Sequence, residues 1–450
     1  MRSTATENSG PRVWWLLVVV VALLATACGD DSDDGSVGGD DDPAPVELSE
    51  YEQDESARSC KEPSEVDGLL VDLSDADRSE AAELCGTFDE ADGPGVEIVA
   101  CPDAQGWYAQ SENMLVVEVP ADDADAVNRV VALAGGTTAA AGDVLIVSFD
   151  ADVQSARQLV DLLNGIGEVV AAPSTLFQLH PITRGFPVED FIPAGSTSPT
   201  GPDPFALAGL SGDDPSPVVI IDVDSAYDGT RINGHGRFIQ KIVEQLGAPA
   251  DIAAIAPDAA SGNLAYFSEA EIVRALEESR GTWDMDDAPV VNMSLGGQSC
   301  GLAPTALTRA IARGVKSGAH FVASAGNDET NEPTFPAALG VGTWKDLAGS
   351  GVDDLSADVT SVGSIDLQGN RSCYSNYGPW VESWAVGERV QTADGWWSGT
   401  SFAAPQIAAE VAFGITGGAG NPPANLTTTV ASAQGDTFCS ANSPFHPDNS

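Results

Sequence analysis

The sequence predicts an α/β protein built on a doubly wound, mainly parallel sheet and preceded by a small α+β domain. From residue 217 onward, short continuous apolar segments alternate with segments of helical period. This alternation is typical of buried parallel strands joined by helices. Between residues 113 and 180, strand-like and helix-like segments alternate over a length that fits a small split-βαβ domain.

The larger domain is predicted to span residues 217–450. Its apolar segments predict strands at 218–221, 253–255, 290–293 and 321–325. Segments with a helical period predict helices at 235–246, 269–278, 306–316 and 402–413. Functional sites of such sheets lie beyond the carboxyl ends of the strands. A functional site is therefore expected in the loops that follow these strands.

The smaller domain is predicted to have the order β-α-β-α-β. Strands are expected at 114–119, 143–149 and 169–172, and helices at 121–134 and 152–163. Residues 181–216 are rich in Pro, Gly and Ser, which predicts a linker between the two domains. Residues 46–112 contain three cysteines and no clear period, and the sequence assigns them no role.

The first 28 residues predict an export signal. Arg2 and Arg12 make the start positive, and the apolar segment 13–25 is too short to span a membrane comfortably. The end of this segment resembles a bacterial lipobox, in which Cys28 would be lipidated and become the mature N-terminus. We therefore expect a lipoprotein on the outer face of the cell membrane, with plain secretion as the alternative. Residues 29–45 are predicted to be a disordered acidic spacer.

The charge balance excludes some classes of partner. The 450-residue chain has 68 acidic and 19 basic residues. Such a surface repels nucleic acids and anionic membranes, so we expect neither to bind it directly. Any attachment to a membrane would then depend on the lipid at the N-terminus.

Six cysteines remain after Cys28, and an exported chain is expected to form disulfides. Three lie early in the sequence and three lie late: Cys60, Cys85 and Cys101, and then Cys300, Cys373 and Cys439. Because three is odd, complete pairing requires at least one bridge between the early and the late part of the chain.

Polar residues typical of nucleophilic catalysis follow the predicted strands. Asp222 ends the first apolar strand, and His235 lies between two glycines at the start of a helix. Ser401 follows a Gly and a Thr and begins an Ala-rich helix, where the positive end of the helix dipole suits a nucleophile. A helix-capping serine is the alternative interpretation. Asn327 follows the strand at 321–325 and presents an amide.

These segments resemble the subtilisin family of serine peptidases. The resemblance rests on Ser-Gly-Thr-Ser-Phe-Ala-Ala-Pro at 398–405, Ala-Ser-Ala-Gly-Asn-Asp at 323–328, Asn-Met-Ser-Leu-Gly-Gly at 292–297 and Gly-His-Gly at 234–236. Further support comes from Tyr-Ser-Asn-Tyr-Gly at 374–378 and Ala-Val-Gly at 385–387. The Asp motif, which comes first along the chain, departs from the family. Asp-Val-Asp at 222–224 stands where Asp-Ser/Thr-Gly is usual.

The resemblance implies a role for each residue. Ser401 would attack the scissile carbonyl, His235 would take its proton, and Asp222 would orient the imidazole, with Asp224 as the rival for that role. The side-chain amide of Asn327 would bind the oxyanion. The backbone of Ser294, Leu295 and Gly296 is expected to pair with an extended polypeptide substrate.

The family likeness extends to cofactors. It implies none for the chemistry, although structural calcium is frequent in the family. Acidic pairs at 213–214, 286–287 and 353–354 offer oxygen ligands for calcium, with solvated loops as the alternative.

The small domain looks like the propeptide of this family, which would inhibit the enzyme by placing its last strand in the cleft. Cleavage is expected between Leu179 and Ala208. If Cys28 carries lipid, cleavage would release the catalytic half unless a disulfide joins the two halves.

The sequence thus predicts an exported serine endopeptidase made as an autoinhibited precursor. The alternative is a catalytically silent relative that acts as a binding or scaffold protein of the cell envelope.

Overall fold

The computed structural model describes residues 60–61, 95–100, 107–150, 155–178, 192–193, 205–212, 214–227, 233–261, 264–284, 287–341 and 354–415. The predicted signal segment with Cys28 and the spacer 29–45 lie outside the described residues. So do Cys85, Cys101 and Cys439, and one member of each acidic pair: Asp213, Asp286 and Asp353.

The upstream unit is a mostly antiparallel sheet with two helices. Its strands are β1 (Cys60–Lys61), β2 (Val96–Ala100), β3 (Trp107–Glu118), β4 (Thr137–Ala141), β5 (Val144–Ser148) and β6 (Val170–Gln178), and its helices are α1 (Ala124–Leu133) and α2 (Ala156–Asn164). The long strand β3 pairs with β2, β5 and β6. Apolar side chains of both helices, among them Val127 and Leu159, pack with Leu115 and Val117 of β3 in one core.

Two predictions for this unit are wrong in detail. The predicted β-α-β-α-β order lacks β4, because four of the five residues of β4 are exposed and all are Thr or Ala, so no apolar alternation marks the strand. The predicted boundary at residue 113 falls inside β3, since residues 107–112 extend this strand and pair with β2 and β6. Part of the segment 46–112 therefore belongs to this sheet.

Among the described residues, the downstream unit has twelve strands, of which six form a parallel sheet. Its strands are β7 (Ile192–Pro193), β8 (Phe205–Ala206), β9 (Val218–Asp222), β10 (Ala250–Ala254), β11 (Ala259–Ser261), β12 (Leu264–Ser268), β13 (Val290–Met293), β14 (His320–Ser324), β15 (Val359–Ile365), β16 (Ser383–Val386), β17 (Val390–Gln391) and β18 (Gly395–Trp397). Its helices are α3 (His235–Leu246), α4 (Glu269–Arg280), α5 (Thr305–Lys316) and α6 (Thr400–Ala412).

Six strands form the central sheet in the order β10-β9-β13-β14-β15-β16, and every pair in it is parallel. Helices cover both faces. Helices α3 and α6 share one apolar core with side chains such as Val218 and Ile220 of β9, and helices α4 and α5 share the other core with Ile221. The predicted α/β class with a parallel sheet is confirmed. All carboxyl ends of these strands lie at one edge, which positions the site.

The two units are in direct contact. The end of β6 pairs antiparallel with β12, with Phe177 opposite Phe267. Apolar side chains of β3, β4 and β5, namely Val116, Ala141 and Val144, join the core of helices α4 and α5. The upstream sheet therefore covers the outer face of these two helices.

The predicted linker contains two short strands that bind the downstream unit. Strand β7 pairs with β18, and β8 pairs with β17, which form an antiparallel pair just before helix α6. Within the described part of the chain, no helix has the length and apolar character needed to cross a membrane.

Candidate active site

Asp222 and His235 form a buried pair at the carboxyl edge of the sheet. The Nδ1 atom of His235 lies 3.0 and 2.9 Å from the two carboxylate oxygens of Asp222. Asp222 Oδ1 also accepts a hydrogen bond of 2.7 Å from the backbone N–H of Val223. Both side chains are buried. A carboxylate placed on Nδ1 fixes the proton there and leaves Nε2 as the basic nitrogen.

Two glycines let the helix that carries His235 approach strand β9. A Cβ atom on Gly236 would lie 2.5 Å from the carbonyl oxygen of Val223 and 2.9 Å from Cβ of Asp222. Gly234 has φ +90°, and a Cβ there would lie 2.7 Å from Tyr227. Side chains at these positions would push His235 away from its carboxylate.

Aromatic rings fix the imidazole from the other side. The ring of Trp397 lies edge-on to His235 with centroids 5.8 Å apart, and the Phe402 ring lies 5.4 Å away. Phe402 directly follows Ser401 in helix α6. The packing of these rings thus brings the start of α6, with Ser401, next to His235.

Ser401 is held through its backbone. Pro405 stands four residues later in α6 and has no N–H, so the carbonyl of Ser401 lacks its usual helical partner. The hydroxyl of Ser294 donates to this carbonyl at 2.8 Å. In return, the Ser401 hydroxyl donates to the Ser294 carbonyl at 3.4 Å. Because Ser294 and Ser401 are 107 residues apart, no local sequence pattern indicates this support, which comes from the loop after β13.

The amide of Asn327 has a defined orientation. Its Oδ1 accepts hydrogen bonds of 2.9 Å from both the backbone N–H and the hydroxyl of Thr400. A backbone N–H can only donate, so the atom that faces Thr400 must be the oxygen. The NH₂ group is therefore directed away from Thr400, as an oxyanion donor requires.

Asn376 fixes the loop that carries Asn327. Its side-chain NH₂ donates to the Ala325 carbonyl at 3.0 Å, and its Oδ1 accepts from the Asp328 N–H at 2.8 Å. Its own N–H donates to the Gly326 carbonyl at 2.9 Å. Asn376 belongs to the Tyr-Ser-Asn-Tyr-Gly segment, whose contacts now explain why an Asn stands there.

The expected substrate-binding edge is occupied from two sides. Ser294 and Leu295 are fully buried, and Gly296 is buried as well. Gly297 forms an antiparallel bridge with Phe335. A Cβ atom on Gly297 would lie 3.2 Å from the ring of Phe177, so the end of β6 runs beside this edge. Strand β12, which pairs with β6, was not predicted from the sequence.

A buried carboxylate lies behind the same strand. Glu269, at the start of α4, accepts from the N–H of Thr175 in β6 at 3.1 Å and from the N–H of Leu307 in α5 at 2.6 Å. Burial raises the pKa of this carboxyl to about 7, and the hydrogen bonds offset only part of that effect. In addition, Ser174 of β6 accepts from the N–H of Ala270 at 3.0 Å.

The remaining predicted positions lie outside this constellation. Asp224 is half exposed and pairs with Arg237 at 2.9 Å, so it faces away from His235. Cys300 and Cys373 are both disulfide-bonded. Among the residues that the structure describes, no group of three or more His, Cys, Asp or Glu is placed to hold a metal ion.

Comparison with known proteins agrees with this geometry. Residues 232–417 match the subtilase family. This match includes His235, Asn327 and Ser401 but begins after Asp222. The assignment of Asp222 therefore depends on its contact with His235 rather than on the family match.

The chain is similar to two curated proteins and to one protein of known structure. A thermophilic serine proteinase of Bacillus sp. (strain AK1) is 29% identical over 203 residues, which is 41% of this chain and 43% of that protein. A subtilisin-like protease 1 of Trichophyton rubrum is 34% identical over 141 residues, covering 29% of this chain and 24% of that protein. A cold adapted subtilisin-like serine proteinase of known structure aligns with 49% of this chain and 77% of that chain at 25% identity and a TM-score of 0.31.

The chain spans less than half the length of the two curated relatives. The family match and both relatives nevertheless point to the same class of protein, serine peptidases. Over residues 232–417, this chain is therefore similar to the subtilase family of subtilisin-like serine peptidases.

Proposed function

We propose that the chain is a serine endopeptidase that hydrolyses peptide bonds of polypeptide substrates. The observation that carries this proposal is the buried pair of Asp222 and His235 beside the helix start that presents Ser401. Only a base that keeps its Nε2 unprotonated can activate a serine hydroxyl, and a carboxylate on Nδ1 provides that tautomer.

The reaction follows from these contacts. Ser401 Oγ attacks the scissile carbonyl while His235 Nε2 takes its proton, and Asp222 stabilises the imidazolium. The NH₂ of Asn327 and the backbone N–H of Ser401 bind the oxyanion of the tetrahedral intermediate. His235 then protonates the leaving amine, and water releases the acyl group by the reverse sequence. Every step uses groups of this chain, so the chemistry requires no cofactor.

We further propose that the enzyme is made as an autoinhibited precursor. In the full chain Ser401, His235 and Asn327 are all at least 97% buried. The end of β6 pairs with β12 and contacts Gly297, which is how an extended polypeptide would lie along this edge. The upstream unit thus acts as an internal inhibitor whose last strand leads toward the cleft.

The strands of the linker narrow the expected cleavage site. Because β7 and β8 pair with β18 and β17 of the downstream unit, these residues remain with the catalytic half after processing. Cleavage is therefore expected within 179–191 rather than as far as Ala208.

Export and lipidation complete the proposal and rest on sequence features. The short apolar segment 13–25 and the lipobox-like end at Cys28 support an anchored precursor on the outer face of the cell membrane. Replacing Cys28 by Ser should shift the precursor from the detergent phase to the aqueous phase in a detergent-partition assay. Unchanged partition would remove lipidation from the proposal.

Processing provides a direct test of the proposed function. Wild-type protein and the Ser401→Ala variant are purified in parallel, sequenced from the N-terminus and assayed for hydrolysis of a denatured polypeptide. We expect a new N-terminus within 179–191 and hydrolysis for the wild type only. Identical N-termini together with equal hydrolysis in the two proteins would show that Ser401 is not the nucleophile.

A further inference from the structure

The face of helices α4 and α5 that meets the upstream unit carries three arginines. Arg280 ends α4, and Arg309 and Arg313 belong to α5. We refer to these three residues as the arginine face. Such a cluster is notable because the whole chain has only 19 basic residues and a formal net charge of −49.

Carboxylates of the upstream unit bind this face. Glu118, the last residue of β3, accepts from Nε of Arg309 at 2.8 Å and makes further short contacts with Nη atoms of Arg309 and Arg313. Asp143, in the turn between β4 and β5, accepts from Arg280 at 2.5 Å. One glutamate that bridges two planar guanidinium groups is an arrangement that lysines could not reproduce.

A carboxylate of the downstream unit binds two of the three arginines. Glu277 of α4 is fully buried and accepts from Arg313 Nε at 2.7 Å and from Arg280 Nε at 2.9 Å. Two of the three guanidinium groups are therefore held by a carboxylate of their own unit, an arrangement that reduces the entropy lost on binding an upstream carboxylate.

The upstream hairpin fits closely over this network. Gly142 has φ +54°, and a Cβ atom there would lie 3.0 Å from both Cβ and Oε2 of Glu277. The Glu118 part of the network is largely shielded, with 9% of Arg309, 13% of Arg313 and 18% of Glu118 exposed, whereas Asp143 is 67% exposed. Partly buried ion pairs are stronger than surface pairs and are screened less by salt while they are formed, but after release the separated charges are exposed and salt stabilises them.

We propose that the arginine face is a docking surface for carboxylates and that its occupation by Glu118 and Asp143 keeps the upstream unit on the catalytic unit. Release of the upstream unit separates three cations from two anions, leaving Glu277 as the counter-charge among the residues of this network. Release should therefore be promoted by salt and by loss of Glu118. This inference rests on the proposed function, because it concerns how the inhibitory unit is retained.

The test measures the interface without using catalysis. Full-length Ser401→Ala protein serves as background for three variants: Glu118→Gln, Arg309→Gln and the double variant. The matched control is Glu168→Gln, an exposed residue of the upstream unit. Amide hydrogen exchange is followed in β3 and α5, which meet at the interface, and in α1 and α2, which report on the upstream core.

We expect Glu118→Gln and Arg309→Gln each to speed exchange at the interface about 10-fold, since a hydrogen bond to a charged group contributes of that order. The double variant should add less than the product of the two, and 1 M NaCl should speed exchange in the background protein more than in either variant. Exchange in α1 and α2 should stay slow, and Glu168→Gln should match the background.

Interface exchange in both single variants equal to that of Glu168→Gln would overturn the proposal. If Glu118→Gln loosens α1 and α2 as well, Arg309→Gln decides alone, because that residue lies outside the upstream unit. Failure of the proposed function is seen separately, as absence of Ser401-dependent hydrolysis in the wild type, and does not affect the exchange measurement.

Discussion

The carboxyl edge of the parallel sheet and the arginine face are held together by different interactions. At the edge, Ser294, Asn327 and Asn376 form short hydrogen bonds between loops of one unit, and a single ion pair serves His235. At the arginine face, the bonds between the two units are ion pairs next to an apolar core.

We infer from this difference that the geometry of the carboxyl edge is long-lived, whereas the contact between the two units is reversible. Buried neutral hydrogen bonds are insensitive to ionic strength and hold catalytic groups in one geometry, whereas ion pairs at a boundary respond to salt and to loss of one partner. Substitutions at the edge should therefore reduce catalysis without changing how the two units associate. Substitutions at the boundary should change how firmly the two units associate.

The largest effect is expected for Asp222. In Asp222→Asn, an amide cannot hold the proton on Nδ1 in the same way, so kcat should fall roughly 10⁴-fold while the thermal midpoint changes little. Asp224→Asn is the matched control, because Asp224 pairs with Arg237 and not with His235. Because Asp222→Asn should process itself slowly, both variants are first processed in trans by wild-type protein that is then removed, and steady-state hydrolysis is measured afterwards. Equal losses in the two variants would contradict the assignment of Asp222.

The second-largest effect is expected for Asn327. Removal of one oxyanion donor in Asn327→Ala is expected to lower kcat roughly 10²- to 10³-fold with little change in KM, because the bond forms in the transition state. Thr400→Val removes one of the two hydrogen bonds that orient the amide and should have a smaller effect of the same kind. A change in KM alone in Asn327→Ala would show that the amide binds substrate instead.

Glu269 is expected to make the stability of the precursor depend on pH. Its folded pKa of about 7 lies above the usual 4.5 because of burial. A raised pKa means that the folded state binds the proton more tightly. The stabilisation is complete below about pH 4.5 and is lost as pH rises through 7, on the order of 3 kcal/mol.

The comparison for Glu269 uses full-length Ser401→Ala protein with and without Glu269→Gln. Thermal midpoints at pH 5 and pH 8 should differ more in the protein that retains Glu269. Tyr108, whose pKa is raised by burial and then by Glu97 and Glu269 among others, stays protonated in this range. Glu271→Gln, on the same helix, should keep the full pH dependence. An equal change in thermal midpoint between pH 5 and pH 8 with and without Glu269 would refute the prediction.

Ser294 should have the smallest effect. Ser294→Ala leaves the Ser401 carbonyl without the donor that replaces the missing N–H of Pro405, at a cost of about 1–3 kcal/mol of stability. The activity that remains should show a reduced kcat, since the start of α6 is less firmly held. Thermal unfolding of the processed protein measures the loss. An unchanged midpoint would show that water or another group satisfies this carbonyl.

Local sequence signals indicated the residues that make up the candidate site. His235 between glycines, Asn327 after a buried strand and Ser401 at a helix start each depend on a few neighbouring residues. Four of the six central strands and the four helices of the downstream unit were predicted because apolar period and burial coincide there, whereas β15 and β16 were not predicted. The choice between Asp222 and Asp224 could not be made from sequence, since only the packing of α3 on β9 shows which carboxylate meets the imidazole.

Contacts between distant segments could not be predicted. Glu118 and Arg309 are 191 residues apart, and Ser294 and Ser401 are 107 apart, so no local pattern connects them. Strand β4 lacks apolar residues at alternate positions, and β7 and β8 are two residues long within a Pro- and Gly-rich segment. These elements acquire their structure from partners, not from their own propensity.

The most direct test of the central claim is a map of the fluorophosphonate adduct on processed wild-type protein, with Ser401→Ala and Asp222→Asn measured in parallel. We predict one adduct, located by peptide mass spectrometry on Ser401, formed slowly in Asp222→Asn and absent in Ser401→Ala. An adduct on another residue, or no adduct on processed protein, would contradict the assignment of Ser401 as the nucleophile.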